Sequence, residues 1–161
     1  MSDTKFIELI KGKYGDMVLD SHSFRGEQTV TVKKDCGNEF FKFLRDDPAL
    51  SFKFLMDITA VDYLSKKTER FELVYHFYSL EHNDRLRIKL PISMKDCIAD
   101  TVTEVWKTAN WFERELWDMY GIKFRNHPDL KRILLYEEFK GHPLRKDYPV
   151  NKRQPLIGPL N

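Results

Sequence analysis

Two carboxylates that lie close together, Glu113 and Glu115, are the residues of this sequence best suited by type to acid–base chemistry. An enzyme that uses a pair of carboxylates needs both of them to face the same substrate. The surrounding pattern predicts a helix, on which residues two apart point about 200° away from each other. These glutamates are therefore not expected to act as a catalytic pair.

Metal and redox chemistry have no better support. His127 and His142 each precede a proline in predicted loops, without a third ligand at the spacing of a metal site. Cys36 and Cys97 are isolated, which excludes a disulfide framework and a cysteine motif for an iron–sulfur cluster. The sequence also contains no glycine-rich phosphate loop and no nucleophile elbow. We therefore predict that the chain binds no metal or cofactor and does no redox chemistry by itself.

The element that must position the two glutamates is a long helix predicted from Thr101 to Tyr120. Thr101 and Glu104 have the spacing of a capping box, and Gly121 can end the helix in a left-handed conformation. Apolar residues follow at three- and four-residue spacing: Val102, Val105, Trp106, Ala109, Phe112, Leu116, Met119 and Tyr120.

Bulky and charged residues fall outside this apolar stripe, namely Trp111, Glu113, Arg114, Glu115, Trp117 and Asp118. A solvent-exposed helix with an Arg114–Asp118 pair, worth about 0.3–0.5 kcal/mol, would account for the charges. Trp and Arg are also the residue types that anchor contacts between proteins, which favours an interface helix. The pattern alone leaves both interpretations open.

Upstream, the pattern predicts a helix near residues 4–15, strands at 17–24 and 28–34, a helix from Asp35 to Asp47, and three more strands. The first of these three is predicted from the alternation of Phe52, Phe54, Met56, Ile58 and Ala60, and the others lie at 71–77 and 86–92. The order helix, two strands, helix, three strands and long helix predicts a two-layer α+β domain over residues 1–121, followed by an extended C-terminal tail.

The predicted tail, residues 122–161, has a distinct composition. It contains nine Lys and Arg against four Asp and Glu, and five of the seven prolines, whereas residues 1–121 carry 18 basic against 21 acidic residues. A segment with so little periodicity cannot build its own core, so it is either a disordered, soluble tail or is laid along another surface. Its scattered large apolar side chains favour wrapping around an acidic partner.

Length and composition set further bounds. The 161 residues correspond to one domain. No apolar run approaches the roughly 20 residues that cross a bilayer. The first residues include Asp3 and Glu8 and no Arg, unlike a targeting peptide, so we predict a cytoplasmic location.

Several short sequence motifs, found in a fixed order, resemble those of a known family. Glu113-Arg114-Glu115, Asp118-Met119-Tyr120, His127, Lys131 and Ile133-Leu134 are similar to the signature of the C subunit of respiratory complex I, the proton-pumping NADH:quinone oxidoreductase. The segments 57–62 and 141–149 resemble the same family, and the likeness covers residues 34–150. Phe139 and Asn126 depart from the common Trp and Gly, which concerns only the local loop shape.

The resemblance implies a cofactor-free subunit of the peripheral arm of complex I. Such a subunit packs against the large D subunit, which lines the quinone pocket, with the iron–sulfur B and I subunits nearby. It implies an assembly that uses FMN, iron–sulfur clusters, NADH and quinone, attached peripherally to the cytoplasmic side of a bacterial membrane. Our candidates for the partner interface are Glu113, Arg114, Glu115, Asp118, His127, Arg132, Arg145 and Asp147.

The sequence leaves two alternative functions open. The first is the equivalent subunit of a membrane-bound hydrogenase or formate-oxidising complex. The second is a free-standing basic module that binds nucleic acid through Arg85, Arg87, Lys89 and the tail. An exposed or edge strand usually carries such charges without a nucleic-acid role, and aromatic stacking residues are missing between them in the sequence. We therefore predict no nucleic-acid partner.

Overall fold

The computed structural model describes residues 4–155, so Asp3 and the last six residues of the predicted tail lie outside the described part. The helices are α1 (Lys5–Tyr14), α2 (Gly37–Asp46) and α3 (Ala109–Tyr120). The strands are β1 (Val18–Phe24), β2 (Glu27–Val32), β3 (Phe54–Asp62), β4 (Phe71–Ser79), β5 (Asp84–Ile92), β6 (Ile98–Asp100) and β7 (Lys123–Arg125). None of the helices described is both long and apolar enough to cross a membrane.

Five strands form one sheet in the order β1-β2-β5-β4-β3. All neighbours are antiparallel except β2 and β5, which pair in parallel. Residues of α1 and α2 pack with one face of this sheet in a single apolar core, in which Phe6 contacts Phe52 and Phe41 contacts both Tyr75 and Phe77. The predicted two-layer α+β fold is confirmed.

The first strand of the predicted trio contains a bulge that the alternation did not reveal. The pairing of β3 with β4 shifts register between Leu55 and Asp57, so that Leu55 and Ile58 face the core. Phe54 and Met56, predicted to be buried, are exposed. A bulge adds one residue to a strand and thereby reverses the facing of the residues before it.

The row of basic residues on β5 lies on a central strand of the sheet, not on an edge strand. Arg87 donates to a Glu27 carboxylate oxygen at 2.8 Å, and the Lys89 ammonium lies 3.2 Å from a carboxylate oxygen of Glu72. The guanidinium of Arg85 lies over the ring of Tyr78, 5.5 Å from its centroid. Neighbouring strands therefore supply partners for each of these charges.

The helix predicted to begin at Thr101 begins only at Ala109. Thr101 caps no helix: its amide donates to the carbonyl of Arg125, and its hydroxyl oxygen bonds to Glu113 and to the hydroxyl and amide of Thr103. Pairing of the preceding strand β6 with β7 holds the chain in this extended path. The predicted end is confirmed: Gly121 has φ 73° and donates its amide to the carbonyl of Trp117.

Strands β6 and β7 were not predicted, since three residues are too few to show a period. Their pairing places the start of the predicted tail within the domain. Ile122 and Phe124 are buried in the same core as the sheet and helices. After Arg125 the described chain contains turns and bends without further helix or strand.

Candidate partner interface

Asp118 fastens the tail to α3 from a fully buried position. One carboxylate oxygen accepts the backbone amides of Ile133, Leu134 and Leu135 at 3.1, 2.9 and 2.9 Å, and the other accepts a bond from Arg132. Burial by itself raises the pKa of Asp118, but these hydrogen bonds outweigh it and hold the pKa below its ordinary value. The carboxylate is thus ionised and satisfied by the tail alone.

Arg132 extends this attachment along the tail. It also donates to the carbonyl of Phe139 at 2.7 Å, and its guanidinium lies 5.7 Å from the ring centroid of Trp117. The predicted Arg114–Asp118 pair is absent from the described contacts. Arg114 instead donates to the carbonyls of Lys131 and Arg132, at 3.2 and 3.1 Å. Arg114 and Asp118 of α3 therefore bind the same tail segment.

The C-terminal end of α3 is capped by two tail side chains. His142 bonds through Nδ1 to the carbonyl of Asp118 at 3.0 Å, and Arg145 donates from Nε to the carbonyl of Tyr120. The last carbonyls of a helix lack partners within the helix and carry partial negative charge, which a donor or cation stabilises. Since a carbonyl only accepts, Nδ1 of His142 carries the proton.

A second attachment joins the tail to the end of β3. The Arg70 guanidinium donates to both carboxylate oxygens of Asp62 at 3.0 and 2.9 Å and to both of Asp147 at 2.9 and 2.7 Å. The Lys146 amide adds a bond to Asp62 at 2.8 Å. Hydrogen bonds to the two aspartates raise the pKa of Arg70 above its already high value. The guanidinium is thereby held permanently charged between two carboxylates.

Glu113, also on α3, is wholly buried. Its carboxylate accepts from the hydroxyl of Thr101 at 2.5 Å and from the amide of Val102 at 2.8 Å, and His127 Nε2 lies 3.9 Å away. Burial raises the pKa of Glu113 to about 7 in spite of these two bonds. His127 is itself bonded to the carbonyl of Asn110 at 3.1 Å.

The structure therefore places seven of the eight predicted interface residues in contacts within the chain: Glu113, Arg114, Asp118, His127, Arg132, Arg145 and Asp147. Glu115 is exposed. Whether any of the eight contacts another protein stays a prediction. The sequence reasoning did not select Arg70, which lies outside every periodic segment, although the charge of Asp147 was a signal that an arginine should answer it.

Large apolar side chains remain exposed on α3 and on the fastened tail, and four are described: Trp111, Leu134, Leu144 and Val150. The Leu134 amide is one of the three that donate to Asp118, and the Leu144 amide donates to the carbonyl of Met119 at 3.1 Å. We call Trp111, Leu134 and Leu144 the exposed apolar set. Residues 4–155 contain no group of three or more His, Cys, Asp or Glu placed to bind a metal ion.

The chain matches known proteins over most of its length. The family model described as "Respiratory-chain NADH dehydrogenase, 30 Kd subunit" matches residues 30–154. The NADH-quinone oxidoreductase C subunit of Citrifermentans bemidjiense is 48% identical over 154 residues, 94% of both chains. The protein of the same name from Geobacter sulfurreducens is 46% identical over 154 residues, again 94% of both.

Two solved structures have a similar fold. A trypsin-resistant fragment (1–134) of Nqo5 is 28% identical and superposes with a TM-score of 0.68, covering 78% of this chain and 99% of the fragment. A chain of an archaeal membrane-bound sulfane sulfur reductase, 21% identical, superposes with a TM-score of 0.75 over 91% of this chain and 85% of its own length, which shows a shared fold alone. The chain belongs to the family of the 30 Kd subunit of respiratory-chain NADH dehydrogenase, that of the NADH-quinone oxidoreductase C subunit, as the sequence resemblance implied.

Proposed function

We propose that the chain is a cofactor-free subunit of the peripheral arm of NADH:quinone oxidoreductase that holds the quinone-site D subunit beside the iron–sulfur B and I subunits. In this proposal FMN, the clusters and quinone are bound by other subunits, and proton translocation occurs elsewhere in the assembly. Attachment to the cytoplasmic side of the membrane is peripheral and runs through the complex. The contribution of this chain is fixed geometry, on which electron transfer and quinone placement depend.

The exposed apolar set is the observation that carries this proposal. Trp111 is 67% exposed, Leu134 63% and Leu144 51%, in a chain that buries most of its other large apolar side chains. Exposed apolar residues on ordered elements, Trp above all, are typical anchors of protein contacts. Because Asp118 already fastens the tail, docking does not have to order this segment, and less binding energy is lost.

The charge of the tail supports the same partner chemistry. Residues 122–161 carry five more basic than acidic residues. Lys140 and Lys146 are exposed and form no ion pair within the described residues. Unpaired basic groups on the tail fit an acidic surface on a partner and steer its approach. The large quinone-site subunit is the partner that the family resemblance implies.

The alternatives receive less support. The relatives at 46–48% identity are named as subunits of the quinone enzyme, not of a hydrogenase or formate-oxidising complex. Binding of nucleic acid through β5 would require breaking the Arg87–Glu27 and Lys89–Glu72 pairs. That cost argues against a role in binding nucleic acid.

The test is assembly of the full chain with its companion subunits. Trp111→Ala and Leu134→Ser, made in the native complex, are expected to lower the yield of complex that contains both this chain and the quinone-site subunit. Leu80→Ser is the matched control, since Leu80 is 73% exposed in the turn between β4 and β5, on a different element. Equal yields from all three variants would contradict the proposal, as would co-purification with companions other than subunits of the quinone enzyme.

A further inference from the structure

Glu113 is a carboxyl group buried without a counter-charge. Its side chain is fully buried, and its two oxygens are met by one hydroxyl and one backbone amide, from Thr101 and Val102. Transferring an ionised carboxylate into a protein interior is costly unless a cation answers it. The geometry therefore favours the protonated carboxyl more strongly than at any exposed glutamate of the chain.

The titratable groups that face Glu113 do not supply the missing charge. His127 Nδ1 accepts the amide of Asp129 at 3.1 Å, so the ring proton sits on Nε2, which bonds to the carbonyl of Asn110. Burial lowers the pKa of His127, and the ring is neutral near pH 7. From β4, the buried Tyr75 contributes only a neutral phenol, since burial and then the charge of Glu113 raise its pKa.

A pair of hydroxyl groups adjoins the carboxyl. Thr101 Oγ1 lies 2.5 Å from Glu113 Oε2 and 2.9 Å from Thr103 Oγ1. When Glu113 is ionised, Thr103 donates to Thr101 and Thr101 donates to the carboxylate. When Glu113 is protonated, it donates to Thr101, and Thr101 donates to Thr103. Thr101 Oγ1 also accepts the amide of Thr103 at 3.2 Å, which leaves it one proton and one acceptor site. Both arrangements therefore keep the Glu113–Thr101 and Thr101–Thr103 bonds.

We propose that Glu113 is an exchangeable buried proton site that joins α3 to residues 101–103, and that reversal of the Thr101–Thr103 hydroxyl pair accommodates both of its states. The proton stabilises this joint, which adjoins Arg114 and lies about one helical turn from Asp118, the two α3 residues that bind the tail. Loss of the proton leaves a buried carboxylate and loosens the joint. The chain thus carries a pH-sensitive element that is independent of any partner.

The direction of the pH dependence follows from linkage. Burial raises the pKa of Glu113 to about 7 from an ordinary value of 4.5. A group whose pKa is higher in the folded state takes up a proton on folding. The stability that this proton uptake contributes is fully present below the pKa of Glu113 in the unfolded state. It is lost as the pH rises through the pKa of Glu113 in the folded state. Stability from this group therefore declines between about pH 4.5 and about pH 7.

The first test compares unfolding of the full chain with that of Glu113→Gln and Glu115→Gln between about pH 5 and pH 8. Glutamine imitates the neutral carboxyl, so Glu113→Gln is expected to lose the decline in stability that the natural chain shows over this range. Glu115→Gln, an exposed change two residues away on the same helix, should retain it. An identical decline in Glu113→Gln overturns the proposal.

The second test does not depend on the folding of a variant. In the natural chain labelled with ¹³C at glutamate carboxyls, one resonance is expected to titrate near neutral pH, apart from the others. Thr101→Val removes a donor to the ionised form and should move that titration to higher pH, while Thr101→Ser should leave it in place. If every glutamate carboxyl titrates near its ordinary value, Glu113 is no such proton site.

Discussion

Arg70 and Asp147 lie 77 residues apart in the sequence, yet their side chains form a two-pronged ion pair with N···O distances of 2.9 and 2.7 Å. The same guanidinium binds Asp62 through two further bonds. One arginine thus joins the end of β3 to the tail. Most side-chain contacts of the tail are of this long-range kind.

The two aspartates that bind Arg70 should differ sharply in their contribution to stability. The Asp147 side chain is 50% exposed and that of Asp62 is 2% exposed. Asp147→Ala is expected to cost up to about 1 kcal/mol, whereas Asp62→Ala leaves a buried guanidinium and the Lys146 amide without their main acceptor and should cost about 3–5 kcal/mol. Unfolding in urea measures both, and similar costs would show that burial does not decide the strength of this site.

Replacing Asp118 should release the segment that follows Arg132. Asp118→Ala removes the acceptor of three consecutive amides and of the Arg132 guanidinium, and we expect a loss of about 3–5 kcal/mol, as when a buried ion pair is broken. Hydrogen exchange should accelerate at the amides of residues 133–135. Glu115→Ala, an exposed change on the same helix, should leave these amides protected. Unchanged exchange in Asp118→Ala would mean that other contacts hold the tail.

Gly121 is expected to tolerate no side chain. It has φ 73°, and a Cβ atom there would lie 2.5 Å from both Arg145 Nη2 and His142 Nε2. Gly121→Ala should therefore destabilise the chain by more than about 1 kcal/mol, through backbone strain and displacement of both tail side chains from the end of α3.

Gly12 provides the matched control for this substitution. It lies inside α1, and a Cβ there would meet nothing within 4 Å. Gly12→Ala should stabilise the protein by roughly 0.5–1 kcal/mol, because alanine loses less conformational freedom in a helix. Thermal unfolding of the two variants should move in opposite directions. A shift of the same sign in both would contradict the assigned role of Gly121.

The absence of a bound cofactor remains a prediction. Because the sequence lacks a cysteine cluster motif and a glycine-rich nucleotide loop, the purified chain should show no visible absorption from flavin or iron–sulfur and no oxidation of NADH. Elemental analysis for iron and a visible spectrum measure this directly. Stoichiometric iron on the isolated chain would be incompatible with it.

Local pattern was sufficient for most of the secondary structure. The spacing of Phe40, Phe41 and Leu44 predicted α2, the alternation from Phe71 to Phe77 predicted β4, and Gly121 predicted the end of α3. Each of these signals is carried by residues within a few positions of one another, and burial of one face follows from them. The sequence motifs from Glu113 to Leu134 were sufficient to identify the family.

Long-range pairing decided what local pattern could not. The central position of β5 depends on its parallel pairing with β2, and the bulge in β3 appears only against β4. Glu113 and Asp118 look like exposed charges in a helical pattern, but both are buried because the loop of Thr101 and the tail of Arg132 bring donors to them. A charge can leave water only where distant segments supply its partners, and those partners exist only once the chain has folded.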